Sequence, residues 1–368
     1  MIVEKQSFQL DYTFENGETI PLTLGYETYG TLNEKRDNVI YVAHYFSASS
    51  HAAGKYDEQD ATPGYWDALI GPGKTIDTNE FFVVSIDNIC NVAPHNRHII
   101  TTGPLSINPK TNEPYGLQFP VFTYRDMAKI AYAFLTTQLG ISQMHLAIGA
   151  SAGGFQVLEL GCEYPDFVQR ITGVITNAQN PTWTSLTVLQ PAMRVLELDP
   201  AWPSKEATTG LELAVQMMNT GAFTSTFYEQ NYPRPHVDEA TYKSLKAPST
   251  YEQALHDTLA KTLPLLEPTH WYYTCKATML QDLARNRGSL AEAANRFKAP
   301  ILMISCDDDL LQPSTYNDSF VNLLKGLGKE ATHFHYESKL GHMAGILDTT
   351  PYEATLKQFI GTTNVSIE

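Results

Sequence analysis

The chain has 368 residues, a formal net charge of −15 and 43% hydrophobic residues, enough for a large core in two average domains or in one α/β domain carrying an insertion. That apolar content, with 16 Phe and 20 Tyr, excludes a disordered or fibrous chain. Acidic side chains outnumber basic ones 40 to 25 and no Lys/Arg cluster occurs, which excludes a nucleic-acid backbone and an anionic membrane surface as partners.

The opening MIVEKQSFQLD lacks the apolar segment of a signal peptide. No apolar run approaches the roughly 20 residues that cross a bilayer, so a soluble, cytoplasmic protein is expected. Three short β-branched runs, residues 39–43 (VIYVA), 81–86 (FFVVSI) and 145–149 (HLAIG), read as buried strands because they are continuous rather than alternating. Residues 123–139 form an amphipathic helix pattern between the second and third. Helical periodicity resumes over 153–164, stops at Pro165, and 170–176 (RITGVIT) reads as the next strand. Strand and helix alternate, the signature of a parallel sheet with helices on both faces.

From residue 181 to 298 the pattern is helical, with stretches at 185–198, 208–221 and 251–263 broken by turns at Pro200, Pro203, Pro233, Pro235 and Pro264. Strand signals return at 300–305 (PILMIS) and 332–337 (THFHYE), with a helix at 314–327 between them and a last helix after Pro351. The expected organisation is an α/β core from 1–180 and 299–368, with 181–298 inserted as a helical lid. Cys90, Cys162, Cys275 and Cys306 are too dispersed for a metal or redox pair and read as buried free thiols.

The decisive segment is HLAIGASAGG, which places Gly149-Ala150-Ser151-Ala152-Gly153 where a strand passes into a helix. This is the G-x-S-x-G pattern of a nucleophile elbow, in which a sharp turn lifts the serine hydroxyl above the sheet and the flanking glycines allow close backbone approach. The remaining reading is a Gly-rich βα turn or phosphate loop. A serine needs a base, and the base an orienting acid. Both follow the helical stretch at strand ends: Asp309 after 300–305 and His342 after 332–337. Asp307, Asp308 and Asp309 are adjacent; the spacing to Pro313 selects Asp309, with Asp308 second. The oxyanion hole falls to the backbone N–H groups of Ala152 and Phe46.

Other candidates are weaker. His333 and His335 share a strand face, read as a sheet-surface pair without a third metal ligand. His95 and His98 read as solvent-exposed loop residues. Gly73-Lys74-Thr75 resembles the end of a phosphate loop, but Ala68 stands where its first glycine belongs. No metal site and no cofactor are expected.

Several segments resemble the homoserine O-acetyltransferase family of α/β-hydrolases: Tyr26-Glu27-Thr28-Tyr29-Gly30 with Leu32-Asn33; Trp66 to Lys74 (WDALIGPGK) with Asp77-Thr78; and Thr102-Gly103-Pro104, Asn108-Pro109, Pro114-Tyr115-Gly116, Phe119-Pro120, Thr123 and Arg125-Asp126. The resemblance implies an α/β-hydrolase fold, a mostly parallel central sheet flanked by helices with an inserted helical lid. It also implies a triad on Ser151, Asp309 and His342, and a homodimer through the lid. Departures are concentrated around the acceptor. Ala150 and Ala152 replace the family's Gly and Met, and Met343 stands where Asp usually follows the histidine. Met193 and Arg194 flank the position of a lid arginine, and Asn88-Ile89-Cys90-Asn91 replaces a Gly-Gly-Cys stretch.

An acyl-serine is open to water at about 55 M, so a transferase must place its acceptor with a large effective molarity. With the carboxylate for the acceptor's ammonium missing at Met343, and no clean match at Met193-Arg194 for the cation that would meet its carboxylate, hydrolysis of a small acyl ester is the leading expectation. Acetyl transfer from acetyl-CoA to homoserine is the alternative, and a catalytically silent binding protein on this scaffold is a third.

Overall fold

The computed structural model describes residues 1–234 and 239–361, so Pro235 and the stretch 362–368 lie outside the described residues. An eight-stranded sheet forms its centre: β1 (Gln6–Thr13), β2 (Thr19–Tyr29), β3 (Val39–Ala43), β4 (Phe82–Ile86), β5 (Leu146–Ala150), β6 (Ile171–Val174), β7 (Ile301–Cys306) and β8 (Ala331–Tyr336). Their spatial order is β1-β2-β4-β3-β5-β6-β7-β8. Strands β3 to β8 run parallel, with Val42 opposite Ile148, Gly149 opposite Gly173, and Cys306 opposite Tyr336. The β1–β2 hairpin adds antiparallel, turning at Gly17 with φ +87°. β3, β5, β6 and β7 are buried along their whole length, which is why each reads as a continuous apolar run.

Helices α1 (Tyr124–Thr137) and α2 (Ala152–Glu163) cover one face. Thr123 starts α1 with a capping box to Asp126, and Met127, Phe134, Val157 and Leu160 join the main apolar cluster there. Between β6 and β7 the described residues contain helices and no strand of the sheet. Among these are α3 (Gln190–Leu198), α4 (Thr208–Ala222), α5 (Thr250–Leu259) and α6 (Pro268–Met279). The stretch expected as one helix over 185–198 begins as a π-helical segment, Ser185–Leu189. Pro191, which has no N–H for the carbonyl four residues back, stands at the junction with α3. Helix α5 ends at Leu259, and a separate 3₁₀ turn, Leu263–Leu265, follows. After β7, α7 (Ser314–Gly326) packs beside the sheet, and α8 (Thr350–Gly361) follows β8. On this second face Tyr352, Leu356 and Ile360 pack with Trp66, Leu69 and Ile70. The four cysteines are free and buried. No helix among the described residues is long and apolar enough to cross a membrane.

The sheet order reverses around β3, whose neighbours are β4 and β5. In open α/β sheets such a point leaves a crevice at the strands' carboxyl ends, where chain segments diverge. The loops that follow β3, β5, β7 and β8 carry the residues described next.

Candidate active site

Ser151 sits at the tip of the turn between β5 and α2 with φ +53° and ψ −118°, a conformation that strains a non-glycine residue by about 1–3 kcal/mol. Its surroundings hold it there. The Ser151 N–H donates to the Val174 carbonyl at 2.8 Å, and the Ser151 carbonyl accepts from Thr176 Oγ1 at 2.8 Å and from the Gly154 N–H at 2.9 Å. The flanking glycines have a steric reason: a Cβ on Gly149 would lie 2.3 Å from the Gly153 carbonyl, and one on Gly153 would lie 2.0 Å from the Ala43 oxygen.

His342 follows β8 in the short turn Gly341–Met343 and is 5% exposed. Its Nε2 lies 2.8 Å from Ser151 Oγ, and its Nδ1 lies 2.9 and 3.0 Å from the two carboxylate oxygens of Asp309. Asp309 is 5% exposed and also accepts the N–H groups of Leu311 at 3.0 Å and Gln312 at 2.8 Å. The neighbouring acids point elsewhere: Asp308, at φ +53°, is exposed, and Asp307 meets His335 Nε2 at 2.6 Å. The structure therefore brings Ser151, His342 and Asp309 into one hydrogen-bonded line.

The loop after β3 runs beside α2. Neither the Phe46 N–H nor the Ala152 N–H donates to another described group. Ala152 opens α2, where the first helical amides have no intrahelical partner. His44, fully buried, donates from Nδ1 to the Tyr45 carbonyl at 2.8 Å and accepts the Asn88 N–H on Nε2 at 3.1 Å. Burial pushes its pKa down, matching this neutral tautomer. Trp271 of α6 sets its ring edge-on to Phe46 at 5.0 Å.

A cavity of about 380 Å³ lies between loop residues Ser47, Ala48 and Ser49 and the helices, where Val215, Met218, Asn219, Thr258 and Trp271 line it. Met218 packs on the same small apolar cluster as Met343, the residue after His342. No Asp, Glu, Lys or Arg lines this cavity among the described residues. Arg194 turns outward instead, 60% exposed and paired with Glu197.

Two expectations about histidines change. His98 is half-buried and stacks on Tyr56 at 3.8 Å, so it is not a free loop side chain. His333 and His335 do not form a bare surface pair: both contact the buried Ser305 hydroxyl, at 2.6 and 2.9 Å, and each holds an aspartate on its other nitrogen. No group of three or more His, Cys, Asp or Glu side chains among the described residues is arranged to hold a metal. Lys74 pairs with Asp67 at 3.0 Å, and the Gly73 N–H donates to Asp77, so that loop satisfies itself.

Fold and site together define an enzyme of the α/β-hydrolase class, whose family model, the alpha/beta hydrolase fold, matches residues 102–348. Homoserine O-acetyltransferase of Geobacter sulfurreducens is 33% identical over 366 residues, covering 98% of this chain and 97% of its own length. The crystal structure of homoserine O-acetyltransferase from Bacillus anthracis superposes with a TM-score of 0.96 at 46% identity, covering 99% of both chains. That of esterase E22 superposes with a TM-score of 0.93 at 35% identity, covering 98% of this chain and all of its own. The chain belongs to the homoserine O-acetyltransferase family.

This corrects the expectation of a small-acyl ester hydrolase, which the full-length homoserine O-acetyltransferase relatives overturn. That expectation rested on two positions, Met343 after the histidine and Met193-Arg194 at the lid arginine, and relatedness along the full chain outweighs both. Acceptor placement is a property of the whole cavity, and effective molarity depends on its combined contacts.

Proposed function

We propose that the protein transfers an acetyl group from acetyl-CoA to the hydroxyl of homoserine through an acetyl-Ser151 intermediate. The observation that carries this reading is the Ser151–His342–Asp309 line within a chain related end to end to homoserine O-acetyltransferases. His342 Nε2 takes the Ser151 proton as Oγ attacks the thioester carbonyl. The tetrahedral oxygen anion is met by the Phe46 and Ala152 amides; one such donor is worth about 3–4 kcal/mol in the transition state. The C–S bond breaks and CoA leaves with the proton from His342. Homoserine then gives its hydroxyl proton to His342 and attacks the acetyl-serine. Collapse releases O-acetylhomoserine and returns the proton to Ser151. Asp309 holds the imidazole tautomer throughout and stabilises the imidazolium.

The helices between β6 and β7 act in this reading as a lid that forms the wall of the acceptor cavity and limits water. The cavity between the loop after β3 and these helices, lined by neutral groups that include Asn96 and Asn219, is the candidate acceptor cavity in this reading. The test is to supply acetyl-CoA with and without homoserine and to measure free CoA, O-acetylhomoserine and acetate. CoA release that depends on homoserine and matches O-acetylhomoserine supports the reading; acetate as the sole acyl product overturns it.

A further inference from the structure

A buried charge cluster lies beneath the loop that carries Phe46, and the triad makes no use of it. Glu27 and Asp87 are fully buried, and Lys5 reaches both: its Nζ lies 2.9 Å from Glu27 Oε1 and 3.1 Å from Asp87 Oδ2. Lys5 is itself only 9% exposed at the side chain and also donates to Ser50 Oγ. Removing one partner of a buried ion pair leaves an uncompensated charge, so the three groups depend on one another.

Every member of the cluster grips the loop after β3. Asp87 Oδ1 accepts the Ser50 N–H at 2.7 Å. Tyr29, whose hydroxyl donates to Glu27 at 2.9 Å, accepts the Ala52 and Ala53 N–H groups at 2.9 and 3.3 Å. His51 Nδ1 meets Glu27 Oε2 at 2.9 Å, and Tyr56 donates to Oε1 at 2.6 Å. At the start of the loop His44 is tied to Asn88, and between Phe46 and Ser50 the Ala48 carbonyl accepts from Asn91 Nδ2 at 2.8 Å. Lys5 arrives on an N-terminal strap that pairs with Lys55 through Val3 N–H at 2.9 Å and Met1 O at 2.9 Å. Phe46 therefore lies in a span fixed at both ends, and Lys5 supplies the cation at one of them.

We propose that Lys5 is a positioning residue for acyl transfer. By pairing with both Glu27 and Asp87 and holding Ser50, it fixes the loop so that the Phe46 N–H stands where the tetrahedral oxygen anion forms. This rests on the acyl-serine reading above. An oxyanion donor works only within about 2.7–3.1 Å of that oxygen, so a loop shift of a few tenths of an ångström weakens the transition state and leaves ground-state binding almost untouched.

The test compares Lys5→Met with wild type in steady-state acetyl transfer and in binding of a trifluoromethyl ketone, whose serine adduct carries an oxygen anion. The expected result is a fall of about 10- to 100-fold in kcat, a KM for homoserine within about threefold, and a matching loss of ketone affinity. Leu324→Ala, which opens a cavity in α7 away from the loop, controls for lost stability and keeps its kcat while folded. Ethylamine added to Lys5→Ala restores part of the rate. A folded Lys5→Met enzyme with wild-type kcat and ketone affinity overturns the proposal. If Lys5→Met does not fold, Ser50→Ala, which removes only the hydroxyl that Lys5 holds, must show the same kcat-selective loss, and wild-type kcat there also overturns it. Absence of a ketone adduct on wild-type Ser151 refutes the acyl-serine reading and the proposal with it; an adduct on wild type that Lys5→Met binds equally well refutes the proposal alone.

Discussion

Replacing Asp309 by Asn should inactivate the enzyme through a forced change of tautomer. Oδ1 of Asp309 accepts two backbone N–H groups, from Leu311 and Gln312, so the asparagine oxygen must occupy that place. Its NH₂ then takes the position of Oδ2, 2.9 Å from His342 Nδ1. A donor now faces that nitrogen, which must give up its proton and accept. The proton moves to Nε2, 2.8 Å from Ser151 Oγ, where the serine needs a free base. Loss of the correct tautomer in a serine triad lowers kcat by about 10⁴, or roughly 5 kcal/mol of transition-state stabilisation. Asp308→Asn, at an exposed side chain, is the matched control and should stay within about twofold. Steady-state kcat for acetyl transfer, with thermal melts to show both variants folded, makes the comparison. An Asp309→Asn enzyme within tenfold of wild type, or an equal loss in Asp308→Asn, refutes this account of the acid.

Gly153→Ala places a Cβ 2.0 Å from the Ala43 oxygen, with backbone on both sides, so the turn or the start of the Phe46 loop must move. The expected outcome is a lower melting temperature together with at least about a hundredfold loss of kcat, read by calorimetry and turnover. Glu27 gives a pH signature. Burial alone raises its carboxyl, but the His51 hydrogen bond, the Lys5 ammonium and the Tyr56 hydroxyl bring it down to about 2 from an ordinary 4.5. A depressed carboxylate adds stability that is complete above the unfolded value and is lost as pH falls through the folded one. Glu27 should thus contribute roughly 3 kcal/mol near neutrality, lost between about pH 4.5 and 2. Urea melts of Glu27→Gln across that window should show a flatter pH dependence than wild type; identical slopes contradict the assignment.

The elbow was legible in sequence because its parts are local: an apolar strand, two glycines two residues from a serine, and a helix pattern behind them. The strands β3, β5 and β7 were legible because burial on both faces leaves continuous apolar runs. Strand β2 was harder, since Glu27 is charged and fully buried, and its reason for being there, Lys5, sits 22 residues earlier in the chain. Helix α6 escaped notice because Pro268, His270, Trp271, Tyr273 and Cys275 are all buried, so no polar face marks a period. The spacing to Pro313 favoured Asp309 over Asp308 without showing where either side chain points. The left-handed turn at Asp308 sends one side chain outward and the next toward His342, a distinction that belongs to the backbone. The expectation of hydrolysis had a different source: Met343 is visible as a local departure, whereas relatedness to homoserine O-acetyltransferases extends over the whole chain.

The central claim is that Ser151 carries the acetyl group between donor and acceptor. The most direct measurement is intact-protein and peptide mass spectrometry after mixing enzyme with acetyl-CoA and quenching in acid, then repeating with homoserine added. The account predicts one acetyl on the peptide containing Ser151, absent in Ser151→Ala, and discharged by homoserine as O-acetylhomoserine appears. No acetyl on Ser151 in the wild-type enzyme, or an acetyl that homoserine does not discharge, would contradict it.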